Sequence, residues 1–161
     1  MIRLAKPSDL PAVVEIYNHY VRETAITFDL EETSLAERQA WFEQFGPEGR
    51  HQLIVCEENG VTTGYAHSTA FRPKPAYRRS VETTVYLAPG VTGQGYGSVL
   101  LAELITRLEA AQTHRAYAII TLPNEASVRV HEKHGYRRLT TLSEVGHKFG
   151  RYWDTLWMER A

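Results

Sequence analysis

Thr83-Thr84-Val85-Tyr86-Leu87-Ala88-Pro89-Gly90-Val91-Thr92-Gly93-Gln94-Gly95-Tyr96-Gly97-Ser98 is the most informative stretch of the chain. Its first part has the composition of a strand, and Gly93, Gly95 and Gly97 then alternate with other residues before a helical pattern begins. Glycines let the backbone turn tightly and present its N–H groups, and a helix N-terminus adds the positive end of its dipole. The pattern predicts a cradle for phosphate or pyrophosphate, with a plain flexible turn as the alternative.

Two common phosphate loops do not fit this sequence. A Walker loop requires Gly-Lys-Ser/Thr after its second glycine, whereas Gly95 is followed by Tyr96-Gly97 and no lysine. A dinucleotide-binding loop requires a third glycine where Ser98 stands and an acidic residue on the next strand, and residues 116–122 contain none. Phosphoryl transfer and nicotinamide chemistry are therefore both disfavoured.

The residues after the loop predict a helix, a strand and a second helix. Apolar residues recur with helical period from Leu100 to about Ala111, and residues 116–122 form a strand. Asn124 is a plausible N-cap of the next helix, which Gly135 ends, and strand-like runs follow to the end of the chain.

The residues before the loop predict two helices among several strands. Ser8 is a plausible cap for the first helix, and Ser34 with Glu37 forms the capping box of the second, which Gly46-Pro47 stops. The Asn59-Gly60 pair predicts a hairpin turn. The remaining predicted elements are strands at 1–5, 52–57, 61–69 and 81–87, with a Pro-containing loop over 71–80. This mixed order favours an α/β sheet with hairpin sections over a purely parallel fold.

Composition limits the class of protein. The chain has 161 residues, enough for a single domain (1–161) with a core that needs no disulfide or metal. A formal net charge of -1 gives no field to gather nucleic acid or an anionic membrane, so neither is expected as a partner. No signal peptide or membrane-length apolar run is evident, so we expect a cytoplasmic protein. The single cysteine, Cys56, belongs to a strand that we expect to be buried, and no histidine spacing indicates a metal site.

A second block of sequence, Asn124 to Tyr136 (NEASVRVHEKHGY), completes a family pattern. The glycine loop resembles the Gln/Arg-x-x-Gly-x-Gly/Ala motif of the GNAT acetyltransferase superfamily, and the second block resembles its Asn-x-x-Ser…Tyr-Glu-Lys-x-Gly-Phe segment. Within that superfamily the chain resembles the phosphinothricin and methionine sulfone/sulfoximine N-acetyltransferases over nearly its whole length. That resemblance is most specific at 71–78, 81–86, 130–132 and 145–150.

The resemblance implies a GNAT-like fold, with a central mixed, mostly antiparallel twisted sheet flanked by helices. It also implies acetyl transfer from acetyl-CoA to the α-amino group of a small amino acid, such as phosphinothricin, methionine sulfoximine or methionine sulfone. Because the only thiol, Cys56, is expected in the core and no histidine spacing indicates a metal, we expect direct attack in a ternary complex without a metal. Together with the aromatic tail, the resemblance suggests a homodimer, and a core strand is the alternative explanation of those aromatic residues.

Two residues are candidates for proton transfer. Glu82 is an acid in an otherwise apolar and Thr-rich strand just before the loop, where it could take a proton from the amine directly or through water. His131 lies one helical turn after Ser127 and could act as a general acid or as the base for the amine. The alternative for Glu82 is a solvent-facing strand position, and the alternative for His131 is a structural or solvated histidine.

The resemblance also assigns binding residues. Arg72 is the favoured substrate anchor, because guanidinium pairs with carboxylate or phosphinate groups; a solvated basic loop is the alternative. Further substrate candidates are Pro73, Lys74, Tyr77 and Lys148. The implied cofactor-binding residues are Val85, Tyr86, Leu87, Gly93, Gln94, Gly95, Tyr96, Gly97, Ser98, Asn124 and Ser127.

Three other functions remain open at this stage. Acetylation of a protein N-terminus would use the same chemistry but would require a groove for a peptide. A non-catalytic acyl-CoA-binding module could keep the fold, although Glu82 and His131 argue against it. A covalent acyl-enzyme through Cys56 is disfavoured because no histidine lies near this thiol in sequence.

Overall fold

The sheet sets the shape of the molecule. A computed structural model describes all 161 residues and contains one seven-stranded sheet in the order β1-β2-β3-β4-β5-β7-β6. The strands are β1 (Ile2–Leu4), β2 (Leu53–Glu58), β3 (Val61–Ala70), β4 (Ser80–Leu87), β5 (Arg115–Thr121), β6 (Arg137–Lys148) and β7 (Arg151–Arg160). The helices are α1 (Leu10–Glu23), α2 (Leu35–Phe42), α3 (Tyr96–Ala110) and α4 (Glu125–Lys133). None of these helices combines the length and the apolar character needed to cross a bilayer.

One strand pair differs from all the others in direction and length. Every neighbouring pair is antiparallel except β4 and β5, which run parallel and pair only from Ser80–Glu82 to Arg115–Tyr117. Beyond Glu82 and Tyr117 the two strands separate, while β4 stays paired with β3 and β5 with β7. The predicted mixed, mostly antiparallel sheet is confirmed, and its one parallel pair opens a gap in the middle.

The helices cover both faces of the sheet. On one face, the buried side chains of α3 pack over the middle strands together with Cys56, which confirms the predicted burial of this thiol. On the other face, Val13 and Ile16 of α1 pack against Tyr65 and Tyr86. The gap between β4 and β5 therefore lies in the middle of a sheet that helices cover on both faces.

Local sequence signals place most helix ends correctly. Ser34 Oγ accepts from the amide of Glu37 and the Glu37 carboxylate accepts from the amide of Ser34, so the capping box is confirmed. Asn124 caps α4 by accepting from the Ser127 amide at 3.2 Å. The prediction that Ser8 caps the first helix is wrong, because a 3-10 turn over Pro7–Asp9 precedes it. The helix begins after this turn, at Leu10.

Candidate active site

A cleft opens where β4 and β5 separate. Its main part has a volume of about 380 Å³ and is bounded by α1, the end of β4, the glycine loop and α4. A narrow extension of about 50 Å³ continues between the two strands. The lining includes nine of the eleven residues predicted to bind the cofactor: Val85, Tyr86, Leu87, Gly93, Gly95, Gly97, Ser98, Asn124 and Ser127. The structure thus brings together residues that lie far apart in sequence, from Val85 to Ser127.

Two predicted cofactor-binding residues point elsewhere. The Gln94 side chain is exposed and donates to the carbonyl of Gly90 at 3.3 Å. The Tyr96 hydroxyl donates to the carboxylate of Glu58. Neither side chain lines the cleft, so any contact that these residues make with a ligand there would come from their backbone.

The glycine loop presents free backbone donors to the cleft. Gly93 and Gly95 have φ values of +81° and +88°, in the left-handed region that favours glycine. Gly95 precedes α3, which has no side-chain cap. No carbonyl accepts from the amides of residues 92–98. Uncapped amides at a helix N-terminus attract anions, so the loop has the features of the predicted phosphate cradle.

His131 lines the cleft and has one ring nitrogen without a hydrogen-bond partner. Its Nδ1 lies 2.8 Å from the carbonyl oxygen of Ser127, and because a carbonyl can only accept, Nδ1 must carry the hydrogen. Nε2 then carries a lone pair in the neutral ring, and it is buried without a partner. Burial lowers the pKa of His131, which favours the neutral form at pH 7. The side chain is therefore prepared to accept a proton.

A chain of contacts fixes the His131 ring at the point where the strands separate. The ring packs edge-on against Tyr136, with centroids 5.0 Å apart. The Tyr136 hydroxyl lies 2.7 Å from Thr83 Oγ1, which donates to the carbonyl of Tyr117 at 3.2 Å. With its own hydrogen used in this way, Thr83 must accept from Tyr136. The histidine is thus tied to both β4 and β5.

Glu82 is the last residue of β4 that pairs with β5. It is half-buried, opposite Tyr117, and its carboxylate receives no hydrogen bond from any protein group. Burial raises the pKa of Glu82, and the nearby charge of Arg72 opposes part of that shift. A carboxylate with a raised pKa and no bound donor is suited to proton transfer.

Aromatic rings hold Arg72 near Glu82. Its guanidinium carbon lies 4.5 Å from the centroid of the Phe71 ring and 5.6 Å from that of Trp157. Phe71 in turn stacks on Tyr117 at 4.4 Å. Arg72 forms no salt bridge with any acidic side chain, so its charge remains available to an anion near Glu82.

None of the predicted substrate residues lines the cleft. Arg72, Pro73 and Lys74 line a separate open groove of about 510 Å³. Neither Glu82 nor His131 lines this groove, and Glu82 directly precedes Thr83, which lines the narrow extension of the cleft. Tyr77 is exposed and contacts the Phe71 ring at 5.9 Å between centroids.

Lys148 holds a loop. Its side chain is buried, and its ammonium donates to the carbonyl oxygens of Thr27 and Asp29, each at 2.9 Å. This segment follows α1 and includes Ile26, which lines the cleft. Lys148 therefore supports one wall of the cleft, but its own side chain does not line the cleft.

Sequence reasoning did not assign five residues that line the main part of the cleft: Tyr20, Ile26, Thr92, Ala126 and Val130. Tyr20 donates through its hydroxyl to the Leu87 carbonyl at 2.7 Å, which anchors α1 to the end of β4. Its position three residues after Tyr17 on a helix was an available signal. The residues at 92, 126 and 130 lie within the glycine loop and the second motif block, whereas Ile26 carried no signal and reaches the cleft through long-range packing.

The geometry also bears on two alternative chemistries. Cys56 packs in the core beside the sheet and is not a cleft residue, so its thiol has no access to a ligand there. No group of three or more His, Cys, Asp or Glu side chains is placed to hold a metal ion. The absence of a metal from the reaction stays a prediction.

Comparison with known proteins agrees with these features. Residues 2–157 match the family described as "Acetyltransferase (GNAT) domain". The chain belongs to the GNAT acetyltransferase family. This GNAT enzyme is 50% identical over 161 residues to phosphinothricin N-acetyltransferase of Streptomyces coelicolor, covering 99% of this chain and 94% of the relative. It is 37% identical to L-methionine sulfoximine/L-methionine sulfone acetyltransferase of Salmonella typhimurium, covering 98% and 92%.

A solved structure supports the fold assignment of this GNAT acetyltransferase. The GNAT superfamily phosphinothricin acetyltransferase from Sinorhizobium meliloti, solved in complex with AcCoA, superposes with a TM-score of 0.94 at 32% identity. The match covers 99% of this chain and 86% of the other. The resemblance inferred from the two sequence motifs is therefore confirmed at the level of family and fold.

Proposed function

We propose that this GNAT acetyltransferase moves an acetyl group from acetyl-CoA to the α-amino group of a small amino acid with a second anionic or strongly polar group. Phosphinothricin, methionine sulfoximine and methionine sulfone are the acceptors to test. The observation that carries the proposal is the gap between β4 and β5, where the buried His131 Nε2 has no hydrogen-bond partner and the carboxylate of Glu82, the last residue of β4 that pairs with β5, receives no hydrogen bond.

The cleft fits acetyl-CoA on the evidence of its own donors. When bound, acetyl-CoA supplies an acetyl group activated as a thioester. The free amides of residues 93–98 would hold its diphosphate, and the backbone of Val85–Leu87, beyond the point where β4 leaves β5, would hold the pantetheine arm. Asn124 uses its side-chain oxygen to cap α4, which leaves its amide hydrogens for the ligand.

Two protons must leave the ammonium form of the acceptor, and two residues are placed to take them. Glu82 takes the first, directly or through a water, and passes it to solvent. His131 Nε2 takes the second as the new N–C bond forms, and then donates it to the sulfur whose bond to the acetyl carbon breaks. Because Nδ1 donates to Ser127, the imidazolium stays oriented while it carries the charge.

Arg72 and its aromatic neighbours supply recognition of the acceptor. The guanidinium lies over the Phe71 and Trp157 rings without an acidic partner, so a carboxylate, phosphinate or sulfone oxygen can pair with it. The Trp157 Nε1–H is buried and unpartnered, which adds a possible donor on the same side. A small acceptor is consistent with the narrow extension of about 50 Å³ beside His131.

Steady-state thiol release tests the acceptor class. With acetyl-CoA, we expect saturable turnover of phosphinothricin, methionine sulfoximine or methionine sulfone, and little turnover of short peptides. Peptides as the better acceptors would favour N-terminal protein acetylation. Acetyl-CoA binding without turnover of any amine would favour a binding module and would refute the proposal.

Variants test the assigned roles. Arg72→Met should raise the acceptor KM by about 10-fold or more, since a charge-assisted hydrogen bond contributes about 1.5–3 kcal/mol. Arg79→Met, an exposed cation in the same segment that lines neither the cleft nor the groove with Arg72, is the matched control. Glu82→Gln and His131→Ala should each lower kcat and alter its pH profile. Unchanged profiles for both would refute the catalytic assignment even if the enzyme acetylates these amino acids.

We also propose that the protein is a cytoplasmic homodimer. The tail supports the dimer: β6 is an edge strand of the sheet, and the β6–β7 hairpin exposes several large apolar side chains, namely Leu139, Leu142, Val145, Phe149 and Tyr152. Apolar patches on an open strand edge favour association. Sedimentation equilibrium should give twice the 18.3 kDa mass of one chain, and a strictly monomeric protein would refute the dimer.

A further inference from the structure

A cluster of three polar side chains lies where α3 begins and α4 ends. The Ser98 hydroxyl oxygen is 2.8 Å from His134 Nε2 and 3.2 Å from Lys133 Nζ. Ser98 lines the cleft beside Gly95 and Gly97. The proton transfers described above use neither Lys133 nor His134, so the cluster requires a different explanation.

Lys133 is an unpaired cation at the C-terminal end of α4. It is exposed and forms no salt bridge, whereas its neighbours pair their charges within the protein. Glu132 pairs with Arg138 at 2.7 Å, and Arg160 pairs with Glu109 at 2.6 Å. The positive charge of Lys133 is therefore available to a ligand that enters the cleft beside Ser98.

The hydrogen bonds around Ser98 leave a donor free. Lys133 can only donate to Ser98 Oγ. Burial, and then the charges of Lys133 and Arg160, lower the pKa of His134, so its ring is neutral at pH 7. When Nε2 carries the ring hydrogen, Ser98 Oγ accepts twice and its own hydrogen is left to donate to a further group. The ammonium, this hydroxyl and the amides that begin α3 then form one donor set for a multiply charged anion.

We propose that Lys133, Ser98 and His134 extend the glycine loop into a second phosphate contact, which holds a phosphate group of coenzyme A. Lys133 supplies the charge and Ser98 a hydrogen bond, while His134 is a positioning residue that orients the Ser98 hydroxyl. The inference rests on the proposed use of acetyl-CoA. Coenzyme A offers two sources of this chemistry, the diphosphate and the 3′-phosphate.

Calorimetric titration of the full chain with coenzyme A and with 3′-dephospho-coenzyme A tests the site. Lys133→Ala should raise the Kd for coenzyme A about 10-fold, because a charged hydrogen bond is lost. Arg129→Ala, an exposed cation on the same helix without a salt bridge, is the matched control and should stay within about 2-fold. A loss confined to coenzyme A assigns the 3′-phosphate, and an equal loss for both ligands assigns the diphosphate.

Variants of His134 separate positioning from folding. His134→Ala should weaken coenzyme A binding by about 3-fold to 10-fold, and His134→Gln, which keeps a side-chain donor, should restore most of it. Equal affinities for the Lys133→Ala and Arg129→Ala variants, at unchanged Tm, would overturn the inference. If the unmodified protein binds no coenzyme A, both this site and the proposed cofactor are wrong. Tight binding without acetylation of any amino acid would count against the proposed acceptors alone.

Discussion

Replacing Gly95 by alanine isolates the backbone requirement of the phosphate cradle. Gly95 has a φ of +88°, and a Cβ added there would meet nothing within 4 Å. The cost therefore comes from the left-handed backbone alone, about 1–2 kcal/mol for a residue with a Cβ. In a protein of this size each kcal/mol lowers Tm by about 2–4 °C, so Gly95→Ala should lower Tm by about 2–8 °C. Calorimetry on the ligand-free protein measures it.

Gly97 supplies the matched control for this experiment. It lies two residues further on, within α3, where a Cβ would make an ordinary contact at 3.6 Å with Leu87 Cδ1. Alanine in a helix gains about 0.5–1 kcal/mol over glycine, so Gly97→Ala should raise Tm slightly. The two substitutions each add one methyl group at positions two residues apart, and the expected changes in Tm have opposite signs. If Gly95→Ala left Tm unchanged, or if both variants lost equal stability, the backbone argument would be refuted.

Three further predictions concern the supports of the cleft. Lys148→Met removes both hydrogen bonds that hold residues 27–29, so Tm should fall and the acceptor KM should rise. Thermal unfolding and steady-state kinetics measure these two changes, and an unchanged Tm would contradict the support role. Gly146→Ala would place a Cβ 2.3 Å from the Phe28 ring and should cost about 1–3 kcal/mol in chemical denaturation, whereas a neutral result would mean that Phe28 moves aside freely. Because the folded pKa of His131 lies below 6.5, its contribution to stability is present above pH 6.5 and is lost as pH falls through the folded pKa. His131→Asn should therefore lose less Tm than the unmodified protein between pH 8 and pH 5.5, and equal losses would refute this.

Local features of this fold were predictable because their causes are local. The Ser34–Glu37 capping box, the Asn124 cap and the glycine loop each depend on residues within a few positions of one another. The prediction for Ser8 failed because the cause at this helix start is not local. The 3-10 turn that begins at Pro7 is held by Asp9, whose carboxylate accepts from the Lys6 amide and pairs with a residue of β1. A capping residue in the sequence does not show which of two adjacent polar residues will be held by contact with a strand elsewhere in the fold.

The site required information that no local pattern contains. Alternation along β4 could not show that its pairing with β5 stops at Glu82, although this stop creates the cleft. Nor could the sequence show that Lys148 bonds carbonyls 121 and 119 positions earlier in the chain. Motif resemblance placed Lys148 among the substrate candidates, and only tertiary contacts reveal its support of the wall. Resemblance therefore predicted which residues lie near the site more reliably than it predicted the role of each residue.

The roles of Glu82 and His131 illustrate the same limit in chemical terms. Helical spacing predicts that His131 and Ser127 share a face, but the tautomer follows only from the 2.8 Å contact between Nδ1 and the Ser127 carbonyl. With Nδ1 donating and a lowered pKa, His131 begins the reaction without a proton to give, so it must gain one before it can protonate sulfur. A single base would have to release the first proton before accepting the second. Glu82, with its raised pKa and no bound donor, removes that restriction, because it can take the first proton and leave the second to His131.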